Sequence, residues 1–334
     1  MSRTAISLLA AGVLLFVGVL VSQGLAAVLA TLALAGWGLT GVALFHLLPL
    51  GLDAAAIRVL LAGGARRARM WDALLARWIG ESVNSLMPAG QIGGPLLMIR
   101  QLSQRGTPAA DAAAAITVST TFQIFAQVVF ALMGVAALWW RARHAALGSA
   151  AALPALVASG VLALLIAAFY LLQQRGLLGR TMRLALRFAG ERDWSRMLDR
   201  ADAIDMSVKS MHGRRAQVAA SFALSLLGWI AGTGEVWLIL RLLGSGVGWG
   251  DALMLESLGQ AIRGAAFAIP GSLGVQEGGY LLLAPLAGLS PDVALALSLA
   301  KRARELLLAV PGLVCLHLSG RALRRRAACA PARE

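Results

Sequence analysis

The sequence predicts an all-α polytopic membrane protein with six transmembrane helices and two re-entrant helical hairpins in an inverted repeat. Three observations lead there: too few charged residues for a soluble surface, long apolar runs, and two apolar stretches broken at matching places. Of the 334 residues, 59% are hydrophobic and 14% charged, with a mean hydropathy of +0.75. A soluble domain carries about 25% charged residues, so this chain cannot cover itself with polar surface. The stretch from Ala5 to Ile57 contains a single charge, Asp53. It has room for two spans of about 20 residues each, which excludes a soluble enzyme behind a signal peptide.

Taken in order, apolar runs predict spans at 5–22, 37–62, 109–139, 151–172, 216–243 and 291–318. The stretches 71–105 and 252–288 are also apolar, but Pro and Gly interrupt them. Pro88-Ala89-Gly90 with Gly93-Gly94 breaks the first; Pro270-Gly271 with Gly274 and Gly278-Gly279 breaks the second. Each half is too short to cross a hydrocarbon core of about 30 Å, so each pair of halves is expected to turn back inside the membrane.

The net charge of +14, from 30 Lys+Arg against 16 Asp+Glu, would suggest nucleic acid in a soluble protein. Here it fits basic residues retained on the cytoplasmic side, and no nucleic-acid partner is expected. The segment 173–215 carries ten Lys/Arg and five acidic residues, and reads as a cytoplasmic basic connector with amphipathic surface helices or as a ligand site. The tail 319–334 holds Arg321, Arg324, Arg325, Arg326 and Arg333, and Arg58, Arg66, Arg67 and Arg69 precede the first hairpin. Both termini are then cytoplasmic. The whole chain 1–334 reads as one membrane domain.

The two interrupted stretches share wording. Asp72-Ala73-Leu74-Leu75 with Gly80-Glu81 matches Asp251-Ala252-Leu253-Met254 with Gly259-Gln260, and Gln91-Ile92-Gly93-Gly94 matches Gln276-Glu277-Gly278-Gly279. Thr107-Pro108 and Ser290-Pro291 then open the next long helix, a hydroxyl cap followed by proline. The repeats are 37–139, with its hairpin at 71–105, and 216–318, with its hairpin at 252–288. One starts outside and the other inside, which is the inverted architecture of many secondary transporters. Glycines that merely permit close helix packing are the alternative.

Charges inside apolar helices mark the candidate site, because an ionisable group at the bilayer centre costs about 2.5 to 3.5 kcal/mol on insertion scales. On the first hairpin Arg77, Glu81, Asn84 and Pro88 share a face; on the second, Glu256, Gln260 and Arg263 do. Lys301, Arg302, Arg304 and Glu305 occupy an arc of about 160° in the middle of the last span. Glu305 is expected to pair with Lys301 and Arg302, which leaves net positive charge. A cationic cavity for an anionic head group and a buried ion network with Glu81, Glu256 or Glu277 both stay open. The returning half-helices start near Gln91 and Gln276, and their free N–H groups would favour phosphate or carboxylate. Gln123, Gln127 and Glu235 are further cavity candidates, or interhelical hydrogen bonds. The expected substrate-binding set is Arg77, Glu81, Asn84, Gln91, Gln260, Arg263, Gln276, Glu277, Lys301, Arg302, Arg304 and Glu305. His46, His144, His212 and His317 have no metal-ligand spacing, Cys315 and Cys329 form no motif, and there is no nucleotide loop or nucleophile motif. No catalytic residue, metal or cofactor is expected.

The run Glu81-Ser-Val-Asn84-Ser-Leu-Met-Pro88-Ala-Gly-Gln91-Ile-Gly-Gly94, with Gly259-Gln-Ala-Ile-Arg263 and Ile269-Pro-Gly-Ser-Leu-Gly-Val-Gln-Glu277-Gly-Gly279, resembles the flippase-like membrane family related to the transmembrane part of lysylphosphatidylglycerol synthase. Lys301-Arg-Ala-Arg304-Glu305 and Pro311-Gly312 resemble its hopanoid-biosynthesis-associated branch. Where relatives carry Glu after the first Gly-Gly, this chain has Pro95. The resemblance implies a bacterial inner-membrane protein tied to lipid transport or processing, and not aminoacyl transfer. Its expected partners are membrane lipids of hopanoid, phospholipid or polyprenyl-phosphate type, with lipid-biosynthesis enzymes as further candidates. Three functions follow: a lipid translocator, a non-transporting accessory protein for hopanoid biosynthesis, and an intramembrane lipid-modifying enzyme with Glu81 or Glu277 as acid/base.

Overall fold

The computed structural model describes Ala33 and residues 35–63, 68–86, 93–144, 206–208, 210–266 and 272–328. The expected spans 5–22 and 151–172, most of the connector 173–215, and Gln91 with the Pro88 and Pro270 breaks lie outside these residues, as do Arg66, Arg67 and the end of the tail. The described residues form helices and the turns between them, with no strand among them.

Helices α1 (Gly38–Phe45) and α2 (Leu47–Leu61) are separated by a turn at His46. Helix α3 (Met70–Leu86) and helix α4 (Gly93–Gln104) follow, then the long α5 (Ala109–His144). In the second half come α6 (Arg215–Leu242), α7 (Trp249–Ala265), α8 (Val275–Leu283), a 3-10 turn at Ala284–Ala287, and α9 (Pro291–Ala328). Three segments are long and apolar enough to cross a membrane: Gly38–Leu61, Ala109–Arg141 and Arg215–Leu242. They correspond to the expected spans 37–62, 109–139 and 216–243. Helix α9 contains the expected span 291–318 but runs to 38 residues, about 57 Å at 1.5 Å per residue. Its middle carries Lys301, Arg302, Arg304 and Glu305.

Both interrupted stretches are hairpins. Gly94 N–H donates to Asn84 Oδ1 at 2.9 Å near the break, and Arg105 bonds Asp72 Oδ1 at 2.8 Å at the far end, so α3 and α4 run antiparallel. At 17 and 12 residues these arms extend about 25 and 18 Å, short of a bilayer core of about 30 Å. In the second hairpin Arg263 Nη1 reaches Gln276 Oε1 at 3.0 Å, closing α7 onto α8. The matched glycines do matched work. A Cβ on Gly80 would stand 2.6 Å from Met98 Cγ on α4, and one on Gly259 would stand 3.1 Å from Tyr280 Cε1 on α8. Either glycine lets the returning arm lie against the first one. The expected proline openings agree to within one residue: Pro291 is the first residue of α9, and Pro108 immediately precedes α5.

The two halves are interleaved. Helix α3 packs on α9 and α7 packs on α5, while α2 lies along α6. At each crossing a serine enters the space left by a glycine. A Cβ on Gly312 of α9 would come within 2.0 Å of Ser82 Oγ on α3, and one on Gly134 of α5 within 1.9 Å of Ser257 Oγ on α7. Such small-residue contacts let helices approach where lipid tails offer no hydrophobic drive. The apolar core splits accordingly. One cluster includes Leu240, Leu255, Tyr280 and Leu297, and the other includes Leu60, Leu102 and Ile116. The charged residues of α3, α7 and α9 meet between these elements.

Candidate functional site

Two groups of charged side chains are assembled from helices far apart in sequence. In the first, Arg77 of α3 holds Asp53 Oδ2 of α2 through Nε at 3.1 Å and Nη2 at 2.8 Å. Gln123 Nε2 of α5 donates to the same oxygen at 2.7 Å. Glu81, one turn after Arg77, lies 3.5 Å from it and 2.9 Å from His46 Nε2. His46 Nδ1 lies 2.6 Å from Glu235 Oε2 on α6, whose Oε1 accepts from Arg304 Nε of α9 at 3.0 Å. The first hairpin, α2, α6 and α9 are thus joined by one chain of charges. The turn between α1 and α2 sets the imidazole where both carboxylates can reach it.

The second group lies on α7, α8 and α9. Lys301 Nζ meets Glu256 Oε2 at 2.5 Å, Tyr280 OH donates to that oxygen at 3.2 Å, and Gln260 Nε2 donates to Oε1 at 2.8 Å. Gln127 of α5 donates to the Gln260 carbonyl at 3.1 Å. Arg263 Nη1 meets Glu305 Oε1 at 2.5 Å, and Arg302 lies between Glu277 Oε1, at 3.1 Å, and Glu305 Oε2, at 3.7 Å. Glu277 is fully buried. It also accepts from Ser298 Oγ at 3.0 Å and from Gly274 N–H at 2.8 Å, and Gln276 Nε2 bonds Ser298 Oγ at 2.9 Å.

Of the candidate residues that the structure describes, Arg77, Glu81, Gln260, Arg263, Gln276, Glu277, Lys301, Arg302, Arg304 and Glu305 fall in these groups, while Asn84 bonds the Gly94 N–H at the start of α4. Gln91 lies outside the described residues. Three expectations change. The two charge groups carry no surplus of positive charge, because Arg77, Arg263, Lys301, Arg302 and Arg304 face the carboxylates of Asp53, Glu81, Glu235, Glu256, Glu277 and Glu305. Glu305 pairs with Arg302 as expected, but its closer partner is Arg263, and Lys301 turns to Glu256 instead. The starts of the returning arms are capped from within the protein, by Glu277 at Gly274 and by Asn84 at Gly94. That satisfies donors otherwise available to an anion. Three members of the first group were not in the expected binding set: His46, Asp53 and Glu235. Each is a polar residue inside an apolar run, and in membrane segments that alone marks a residue for a partner.

A cleft opens beside the first group, lined by His46, Trp78, Glu81, Ser82, Ser85 and Arg304 on one part and by Leu50, Leu308 and Ala309 on another. It admits a guest the size of water, not a phosphate head group. No group of three metal-binding side chains occurs among the described residues.

The family model for the lysylphosphatidylglycerol synthase TM region matches residues 5–312. The chain belongs to that family. No match was found among curated proteins or among solved structures. Membership makes this a membrane protein with a function connected to membrane lipids, and the family region takes in both hairpins and both charge groups. The resemblance carried by the Pro-Gly breaks and the Gln-x-Gly-Gly runs thus holds at the level of the family.

Proposed function

We propose that the chain is a flippase-like lipid translocator, a multi-pass protein of the bacterial inner membrane with both termini in the cytoplasm, and not an enzyme. The observation that carries this reading is the exchange of partners between the halves. Helix α3 of one half packs on α9 of the other, α7 packs on α5, and both crossings use a serine set into a glycine. This is the pairing that two span-hairpin-span units would make about a pseudo-two-fold axis, the arrangement in which rocking of one unit exposes a midplane site to either side. Six spans and two re-entrant hairpins complete the unit structure when 5–22 and 151–172 are counted. The narrow cleft and paired charges correspond to the closed state of such a cycle. A polar or anionic head would enter by exchanging with carboxylates at Arg263, Arg302 and Arg304, lined by Arg77, Glu81, Asn84, Gln91, Gln260, Gln276, Glu277, Lys301 and Glu305, while its tails stay in the bilayer. The Lys301–Glu305 and Pro311-Gly312 wording supports a hopanoid or cell-envelope lipid as cargo.

A second reading is an accessory protein that holds lipid-biosynthesis enzymes without moving lipid. The pairing of all five cations, two of them, Lys301 and Arg304, buried, favours it, since a locked network is what a scaffold needs. Reconstitution separates the two. Vesicles containing the full chain and a head-labelled phospholipid should exchange label between leaflets faster than empty vesicles. Replacing Glu277 and Arg302 together by glutamine removes one pair without stranding a charge, and should slow the exchange. Equal rates in empty and protein-containing vesicles would overturn translocation.

A further inference from the structure

His46 has three charged neighbours, one from each helix packed against its turn: Glu81 from α3, Glu235 from α6 and Arg304 from α9. Arg77 of α3 and Asp53 of α2 stand one contact further out, and Glu305 of α9 lines the adjoining cleft. A carboxylate only accepts, so a ring nitrogen held by one must carry a proton. With both carboxylates ionised, Nδ1 at 2.6 Å from Glu235 and Nε2 at 2.9 Å from Glu81 together call for an imidazolium. Arg304 Nη1 lies 3.2 Å from the same Nε2. An arginine only donates, so this contact becomes a hydrogen bond only when Nε2 is bare. The two partners of Nε2 therefore belong to two protonation states.

The charge balance points the same way. Asp53, Glu81 and Glu235 face Arg77 and Arg304, so this group is neutral only with one proton bound, and His46, between two of the carboxylates, is placed to hold it. In a low-dielectric surrounding an uncompensated charge is costly, which ties the proton to the closed arrangement. The cleft beside the imidazole has room for a water, the nearest acceptor for the proton outside the protein's own groups.

We propose that His46 is a proton-binding site that latches the first hairpin to α6 and α9. Losing the proton passes Nε2 from Glu81 to Arg304, and Glu81 then reaches another helix only through its longer contact with Arg304, at 3.7 Å, while Arg77 still holds Asp53 and Trp78 still holds the Leu308 carbonyl. Under the translocation reading, on which this step alone depends, the latch couples proton movement to opening of the cleft.

The test uses the full chain in nanodiscs, with Cys315→Ser and Cys329→Ser as background and Ser85→Cys as a reporter inside the cleft. Maleimide labelling, normalised to a free thiol at each pH, should rise severalfold over a titration from about pH 5 to about pH 10, which takes in the ordinary histidine range and the region above it. The rise should vanish in His46→Gln. A flat profile, or an unchanged rise in His46→Gln, overturns the latch. If His46→Gln does not fold, the unsubstituted His46 is followed by 15N NMR in a chain carrying His144→Gln, His212→Gln and His317→Gln. A doubly protonated ring that loses one proton in step with cleft opening supports the latch, and a ring that keeps one state throughout overturns it. Loss of lipid exchange in the vesicle assay would remove the coupling and leave the latch standing; a flat labelling profile would remove the latch and leave exchange standing.

Discussion

Lys301 and Glu256 meet inside the bundle, Nζ to Oε2 at 2.5 Å, with the lysine 1% and the glutamate 3% exposed. Two full charges so far from water persist because each satisfies the other and because Tyr280 and Gln260 take up the remaining capacity of the carboxylate. Removing one partner strands the other. Lys301→Met is expected to destabilise the protein by about 3 to 5 kcal/mol, whereas Lys301→Met with Glu256→Gln should recover most of that loss. Reversible unfolding in detergent, run as a double-mutant cycle, measures the difference. Equal losses for the single and the double variant would mean that the pair is not coupled.

The same reasoning bears on Arg263 and Glu277, each of which holds more than one partner. Arg263 holds Glu305 and Gln276 together, and Glu277 holds Arg302, Ser298 and the start of α8. Arg263→Ala or Glu277→Ala should therefore lower stability by roughly 3 kcal/mol or more as well as any lipid exchange. Thermal unfolding measured beside exchange separates the two effects, and a variant that loses exchange at wild-type stability would assign the residue to lipid contact alone.

Much of the scaffold is legible from sequence because hydropathy and the Pro-Gly breaks are local signals. The arms of the first hairpin stop at Leu86 and resume at Gly93, either side of Pro88. Those of the second stop at Ala265 and resume at Val275, either side of Pro270, and three expected spans stand where the apolar runs put them. The partners of the charges are not legible, because pairing is a property of the packed bundle. His46 and Glu235 are separated by 189 residues, and Arg304 and His46 by 258. Charge counted on α9 and the hairpins alone omits Asp53 and Glu235, each the one acidic residue of its helix, and makes the site look cationic. The turn at His46 was equally hidden, since the run from Gly38 to Leu61 is apolar on both sides of it.

The glycine-serine crossings predict a specific steric failure. A methyl group on Gly312 would enter Ser82 and Trp78, so Gly312→Ala must push α3 from α9. Overpacking of this kind costs about 1 to 3 kcal/mol. Ser82→Gly in the same chain should restore part of the loss by vacating the space. Gly41→Ala is the control: nothing lies within 4 Å of its Cβ position, and alanine favours the helix. Unfolding midpoints of the three variants decide the matter, and equal midpoints for Gly312→Ala and Gly41→Ala would deny the crossing.

Helix α9 carries Pro311 one position before that glycine. Proline supplies no N–H, so the carbonyl of Leu307 loses its usual partner and the helix is weakened there. Trp78 Nε1 of α3 donates to the next carbonyl, Leu308, at 2.8 Å, fastening the first hairpin beside the weak point. If α9 bends here as the halves rock, Pro311→Ala should raise stability by about 1 kcal/mol or more while slowing lipid exchange, because the missing bond returns and the helix stiffens. Trp78→Phe should lower stability by about 1 kcal/mol through the lost hydrogen bond, and should leave Pro311→Ala free to act on its own. Exchange rates in vesicles and unfolding in detergent provide the two readings. Stabilisation by Pro311→Ala with no change in exchange would confine the proline to a structural role and place the moving joint elsewhere in the bundle.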